Sequence, residues 1–257
     1  MGKSLIEIAK AVIQTEADSV LLLKDRIDQK FDEICNLIRF CKGKVILVGM
    51  GKSGHIAKKI ASTLASTGTP SFYLHPGEAG HGDLGMINSN DVVIMISYSG
   101  ESDEIISLLP GIKRIYTPII SMTGNINSTL AMSSEFHLDV SVNKEACPNN
   151  LAPTSSTTAA LVMGDAIAVS LMSVNNFTSE DFAMSHPSGT LGRRLLTLVS
   201  SIMKEGLDIP IVSKETLLID SLLVMTKKSL GMVLIAEDEK LIGIFTDGDL
   251  RRAIEAN

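Results

Sequence analysis

Apolar residues in the first forty positions recur at helical spacing: Ile6, Ala9, Ile13, Val20 and Leu23, then Ile27, Phe31, Ile34 and Ile38. This predicts an N-terminal helical segment over residues 1–40. The pattern then changes to short, unbroken apolar runs alternating with helical stretches. Strands are expected near 44–49, 70–74, 91–97, 117–122 and 136–140. Helices are expected near 53–67, 101–110 and 127–132, and Ser156 to Val174 reads as a long Ala- and Met-rich helix, buried on most sides. Apolar runs joined by helices predict an α/β fold, a doubly wound parallel sheet over residues 41–196. A break falls near 197–210. Beyond it, Ile211-Val212, a helix near 216–228, the runs Met232–Ala236 and Leu241–Phe245, and a last helix capped at Thr246-Asp247-Gly248-Asp249 predict a small α+β module over 205–257.

Composition narrows the function. Of 257 residues, 45% are hydrophobic and only 4% aromatic, with no Trp. That suits an aliphatic core rather than a platform for stacking bases. The formal net charge of −6 makes nucleic acid a poor partner. Cys35, Cys41 and Cys147 show no metal-finger or redox spacing, which fits a reducing, cytoplasmic compartment. The first ten residues lack the apolar core of a signal peptide, and no apolar run is expected to approach the ~18 residues that span a bilayer. Membrane is therefore not an expected partner.

The chemistry gathers in loops that follow strands. Val45–Val48 runs into Gly49-Met50-Gly51-Lys52-Ser53-Gly54, and Val92–Ile96 runs into Ser97-Tyr98-Ser99-Gly100-Glu101-Ser102. A third cluster, Thr154-Ser155-Ser156-Thr157-Thr158, opens the long helix. Helix N-termini present unpaired N–H groups and partial positive charge, and hydroxyls add donors. In a parallel sheet these loops share the carboxyl edge, where ligands bind. The pattern predicts a socket for a phosphorylated small molecule. The first loop matches GxGxxG, but the following strand ends at His75-Pro76-Gly77 without the acid that would hold a ribose. GxxxxGK[ST] fails as well, because Ile46 stands where it needs glycine. Lys52 is either a solvated surface lysine or a ligand contact. Glu101 and Glu104, in the first turn after the second loop, suit the helix dipole, and either could serve as a base. His75 and His81 share a glycine-rich loop, Lys144–Pro148 follows a strand, and Ser185–Gly189 follows the long helix. His137 lies within an apolar strand and reads as packed structure.

Seven segments in order, VGMGKSGHIA, TGTPSFYLHPGEAGHGDLGM, SGES, KEACPNNLAPTSSTTA, MGDA, SHPSGTLGRR and GIFTDGDLRR, resemble the sugar isomerase (SIS) family. Within it they are most similar to the D-arabinose 5-phosphate isomerases, whose SIS domain precedes cystathionine-β-synthase (CBS) modules. The resemblance covers residue 40 to the end. Those isomerases usually carry two CBS modules, whereas this sequence shows one. Tyr98 stands where the family usually has a small polar residue. By this resemblance the catalytic residues are Lys52, Glu104, Glu145 and His186, with Glu104 preferred over Glu145 as base. Ser53, Gly68, Thr69, His75, His81, Ser97, Ser99, Gly100, Glu101, Ser102, Thr154, Ser155 and Ser156 would contact substrate, and His75 matches a position implicated in inhibitory zinc binding. Thr246 and Asp249 match positions that hold a nucleotide in some CBS modules, and helix capping accounts for them equally. The implied reaction interconverts D-ribulose 5-phosphate and D-arabinose 5-phosphate through a cis-enediol, with no redox cofactor. Its product feeds the eight-carbon acid sugar of Gram-negative lipopolysaccharide. SIS sites are commonly built at subunit interfaces, so a homodimer or homotetramer is expected. The alternatives are an isomerase for another phosphosugar, or a non-catalytic sensor of sugar phosphates.

Overall fold

The computed structural model describes residues 4–255. It divides into two compact units, one ending at Leu196 and the other beginning at Thr197.

The first unit opens with α1 (Leu5–Leu22) and α2 (Gln29–Arg39). Ser4 and Glu7 form a reciprocal capping box on α1, and Asp28 caps α2. The sheet follows: β1 (Val45–Gly49), α3 (Gly51–Ser66), β2 (Ser71–Leu74), α4 (Pro76–Ala79), β3 (Val92–Ile96), α5 (Asp103–Ile106), α6 (Leu109–Arg114), β4 (Ile119–Thr123), α7 (Thr129–Met132) and β5 (Phe136–Asp139). All five strands are parallel, in the order β2-β1-β3-β4-β5. α8 (Ser155–Val174), α9 (Ser179–Ser185) and α10 (Thr190–Leu196) complete the unit.

Alternate residues of each strand face opposite layers. Val45 and Leu47 pack with Ile34, Ile38, Leu64, Met163 and Ile167. Ile46 and Val48 pack with Ile105, Leu109, Ile112 and Leu130. Burial on both faces explains why the strands read as unbroken apolar runs.

Two expectations need correction. The helix near 101–110 is two helices, α5 and α6. Pro110 has no N–H to continue the ladder and sits in the first turn of α6, where none is needed, and the chain tightens ahead of it, with Leu108 N bonding Ile105 O at 3.2 Å. Second, one apolar segment does reach spanning length: α8 has an 18-residue window of mean hydropathy 1.6. Interspersed Ser, Ala and Gly disguise it in the sequence. The expectation of burial on most sides is not met: 39% of that window is buried, with Ala159, Met163, Ile167, Ala168 and Leu171 in the core on one face while Val169 and Val174 are exposed.

The second unit contains β6 (Ile211–Val212), α11 (Leu218–Lys228), β7 (Met232–Glu237), β8 (Lys240–Thr246) and α12 (Asp247–Glu255). β6 is parallel to β7, and β7 is antiparallel to β8. Met225 and Val233 are buried, while Leu223, Leu241, Ile242 and Ile244 are exposed.

Candidate functional site

The carboxyl edge of the first sheet collects the loops singled out in the sequence. β1 ends at Gly49, and α3 starts two residues later, with Lys52 and Ser53 in its first turn. Lys52 is exposed and makes no hydrogen bond or ion pair among the described residues. Tyr73 anchors the turn from below, its hydroxyl donating to Gly49 O at 2.9 Å.

After β3, Ser97 is buried, and its Oγ lies 3.0 Å from Ser102 Oγ while accepting the Gly100 N–H at 3.2 Å. Ser99 Oγ accepts the Glu101 N–H at 3.2 Å. Gly100 is required twice over. Its φ of 70° is left-handed, and a Cβ there would collide with Ser128 Oγ. Glu101 does not face this loop. Its Oε1 accepts the Thr129 N–H at 2.8 Å, and that bond holds the carboxyl below its usual range. Glu104 is exposed on α5, with its carboxylate free of hydrogen bonds among the described residues.

The third element is the N-terminus of α8. Glu145 caps it from outside the helix: its Oε2 accepts Thr154 N at 2.8 Å, Thr154 Oγ1 at 3.0 Å and Ser156 N at 3.2 Å. Burial works to raise the Glu145 pKa. The neighbouring Ser156 hydroxyl and the donors of Thr154 and Ser156 outweigh it, so the net shift is downward and the group stays ionised. The loop that presents it is closed by its own side chains. Asn150 Oδ1 accepts Glu145 N at 2.7 Å, Thr154 Oγ1 accepts Ala146 N at 2.9 Å, and Cys147 Sγ accepts Leu151 N and Ala152 N, both at 3.2 Å. In the sequence Asn150 draws no notice, and Cys147 reads only as a thiol without metal or redox spacing. The available signal was an Asn-Asn turn after a proline, and Asn150 does take a left-handed φ of 53°.

Ser155 and Ser156 are buried, and their hydroxyls lack hydrogen-bond partners of good geometry. A buried unpaired hydroxyl costs free energy, which singles out Ser155, since the Ser156 hydroxyl lies beside the Glu145 carboxylate. Beside the two serines a cavity of about 40 Å³ is lined by Ser53, Tyr98, Ser156 and Thr157 over Ile96 and Met122. Loop residues of β1 and β3 thus meet the start of α8.

Other candidates stand apart. Gly68 and Thr69 precede β2, at the opposite edge of the sheet, because Ser71 pairs with Val45. Thr69 is buried there, and Gly68 lies beneath the Phe177 ring. α8 carries the chain about 30 Å away from the cradle before α9 begins. His186 caps α9 at its C-terminus, stacks on Phe182 at 4.0 Å and brings Nδ1 within 3.0 Å of Phe182 O. Among the described residues no hydrogen bond or ring contact joins it to the loops. His75 does follow β2 at the carboxyl edge, since Leu74 pairs with Val48, but it caps α4, with Nδ1 accepting Gly77 N at 3.1 Å, and His81 is exposed. Among the described residues no three His, Cys, Asp or Glu side chains cluster as metal ligands. His137 is packed as the sequence indicates: Nε2 lies 2.9 Å from Thr123 Oγ1, and burial pushes its pKa down. In the second unit Asp249 Oδ2 accepts Thr246 N at 2.8 Å and Thr246 Oγ1 at 2.7 Å, and its other oxygen pairs with Arg252. The two residues satisfy each other as a helix cap.

Comparison with known proteins fits this geometry. The SIS domain family matches residues 38–170 and the CBS domain family residues 199–256. The chain is 55% identical over 255 residues to the arabinose 5-phosphate isomerase KdsD of Escherichia coli K12, covering 99% of this chain and 78% of that one. It is 55% identical over 251 residues to KdsD of Pseudomonas aeruginosa, covering 97% and 77%. A solved structure of the E. coli CFT073 protein c3406, in complex with arabinose 5-phosphate, superposes with a TM-score of 0.70 at 43% identity, over 73% of this chain and all of the other. Parallel sheet, hydroxyl-lined carboxyl edge and sequence agree: the chain belongs to the SIS-domain sugar isomerases, within the arabinose 5-phosphate isomerase family, with a CBS domain following its SIS domain.

Proposed function

We propose that this protein is an aldose–ketose isomerase that interconverts D-ribulose 5-phosphate and D-arabinose 5-phosphate. The observation that carries the reading is the meeting of the loops after β1 and β3 with the start of α8, where Ser53, Tyr98 and Ser156 line one cavity and the buried Ser155 hydroxyl lacks a partner, on a chain so similar to KdsD. Hydroxyls of Ser53, Ser97, Ser99 and Ser102 and the N-terminus of α3 supply donors for a phosphate dianion. A carboxylate takes a proton from C1 of the ketose, a cis-enediol forms, and the proton returns to C2 while the oxygens exchange theirs. Glu104 suits the base, because its carboxylate is free. Glu145 is already engaged by three donors, and its lowered pKa weakens it as a base. Lys52, unpaired at the start of α3, offsets charge on the enediolate or the phosphate. His186 opens the furanose of the aldose or moves protons between oxygens. Since His186 lies away from the cradle in one protomer, a neighbouring protomer supplies it in a dimer or tetramer, whereas Gly68, beneath the Phe177 ring, and the buried Thr69 are structural. The exposed Leu5, Ile6 and Ile13 of α1 offer an apolar surface for that assembly.

A coupled assay with ribulose 5-phosphate and no added NAD or metal tests the reading, and arabinose 5-phosphate is the expected product. Tight sugar-phosphate binding without turnover by the folded oligomer would favour a sensor. Turnover of another phosphosugar in its place would reassign the substrate. Mixing Lys52→Ala and His186→Ala subunits tests the shared site: partial recovery of activity is expected, and none is expected from a site built within one chain.

A further inference from the structure

We propose that Tyr98 is a positioning residue for the isomerisation, tying the segment that carries Glu145 to the phosphate loop. The inference rests on the function proposed above. Tyr98 is the second residue of the Ser97–Ser102 loop, yet its side chain does not serve that loop. Its hydroxyl accepts the Val142 N–H at 3.2 Å and reaches Val142 O at 3.5 Å. Both backbone groups of a residue beyond β5 are thereby held by a residue beyond β3, two strands away in the sheet. The main chain of Tyr98 is anchored between them, since Gly124 N donates to Tyr98 O at 2.9 Å. Its ring packs so closely on Gly124 that a Cβ there would sit 2.6 Å from Cε2.

Val142 lies three residues before Glu145, whose carboxylate closes onto Thr154 and Ser156. The chain of contacts therefore runs from the loop that takes the anion, through Tyr98, to the carboxylate at α8. The same ring walls the cavity shared by Ser53 and Ser156. A phosphate that fixes the loop fixes this segment with it. Glu145 is not the base here; it sets the start of α8, where Ser156 lines the cavity with Ser53, and small errors in placing groups that meet the substrate cost rate out of proportion to their size.

Tyr98→Phe keeps the ring and removes only the hydroxyl. The expected result is a fall in kcat of about three- to tenfold, the scale of one hydrogen bond. KM and the affinity for inorganic phosphate should stay within about twofold of wild type. Gly124→Ala, which must displace the ring, should lose kcat similarly, and the double variant should lose less than the product of the two. Unchanged kcat in both single variants overturns the proposal. An equal loss of phosphate affinity overturns it too, because Tyr98 would then merely shape the loop. Amide exchange reads the tie without turnover: inorganic phosphate should slow exchange at Val142–Glu145 in wild type and not in Tyr98→Phe. Equal protection in both proteins overturns the tie, whereas an inactive wild type that shows the difference overturns only the proposed function.

Discussion

Glu145 and Thr154 hold each other twice: one carboxylate oxygen accepts both the backbone N–H of Thr154, at 2.8 Å, and its hydroxyl, at 3.0 Å. A residue nine positions upstream thus does what an N-cap side chain normally does for its own helix. Thr154 itself makes no side-chain cap bond. Because the pKa of Glu145 is depressed in the folded protein, its contribution to stability is present above the ordinary carboxylate range. It is lost as pH falls through the folded value. Glu145→Ala should destabilise the first unit by about 0.5–2 kcal/mol at neutral pH, the scale of a lost cap. The deficit should shrink in acid, where wild type forfeits the same interaction. Urea midpoints at neutral pH and in acid below the ordinary carboxylate range check this, and a constant deficit would show that the carboxylate charge is irrelevant.

Glu104→Gln should lower kcat by on the order of 10²-fold or more while sparing affinity, since it removes a base and keeps the shape. Exchange of the C1 proton with deuterated solvent should fall in step. Normal exchange in the variant would pass the base role to Glu145 despite its three donors.

Lys52→Ala should weaken both binding and turnover, because Lys52 is a cation without an ion pair among the described residues, in the first turn of α3 next to Ser53, which lines the cavity with Tyr98. Steady-state kinetics within about twofold of wild type in kcat/KM would make it a surface lysine.

The three thiols should react in a fixed order. Cys147 has its pKa lowered by the N–H groups of Ala152 and Leu151, whereas burial raises Cys35 to about 11. At neutral pH the thiolate fraction is larger at Cys147, so iodoacetamide should label it first and Cys35 last. Peptide mass spectrometry over time reads the order directly, and early labelling of Cys35 would contradict the burial seen here.

Removing residues 197–257 should leave kcat within a few-fold of the full chain, since every residue given a role in the chemistry precedes them. A soluble, oligomeric, inactive truncation would mean that the second unit completes the site.

Much of the first unit is legible in sequence because strands buried on both faces must be apolar throughout: Val45–Gly49 and Val92–Ile96 lie within a residue of their expected bounds. The hydroxyl loops are legible because donors at helix starts follow from backbone geometry alone. The rest depends on distance through space. Nothing in the spacing of Glu101 shows that Thr129 claims its carboxylate, or that Tyr98 reaches Val142. Helical periodicity around 101–110 hides the break at Pro110, and His186 reads like any loop histidine until α8 is seen to carry it away from the cradle.

The burial of α8 bears on how the chain is made. A nascent chain that has emerged through β5 already holds all five strands with α2 and α3 on this face, but the part of it that packs against Ala159, Met163 and Ile167 is still uncovered. The segment that closes it is the most membrane-like in the protein, and it arrives last. Between residues 139 and 171 the growing chain exposes a wide aliphatic surface, with its cover still in or near the exit tunnel. That interval is when binding by a chaperone counts most, and when pairing with the wrong copy is most costly.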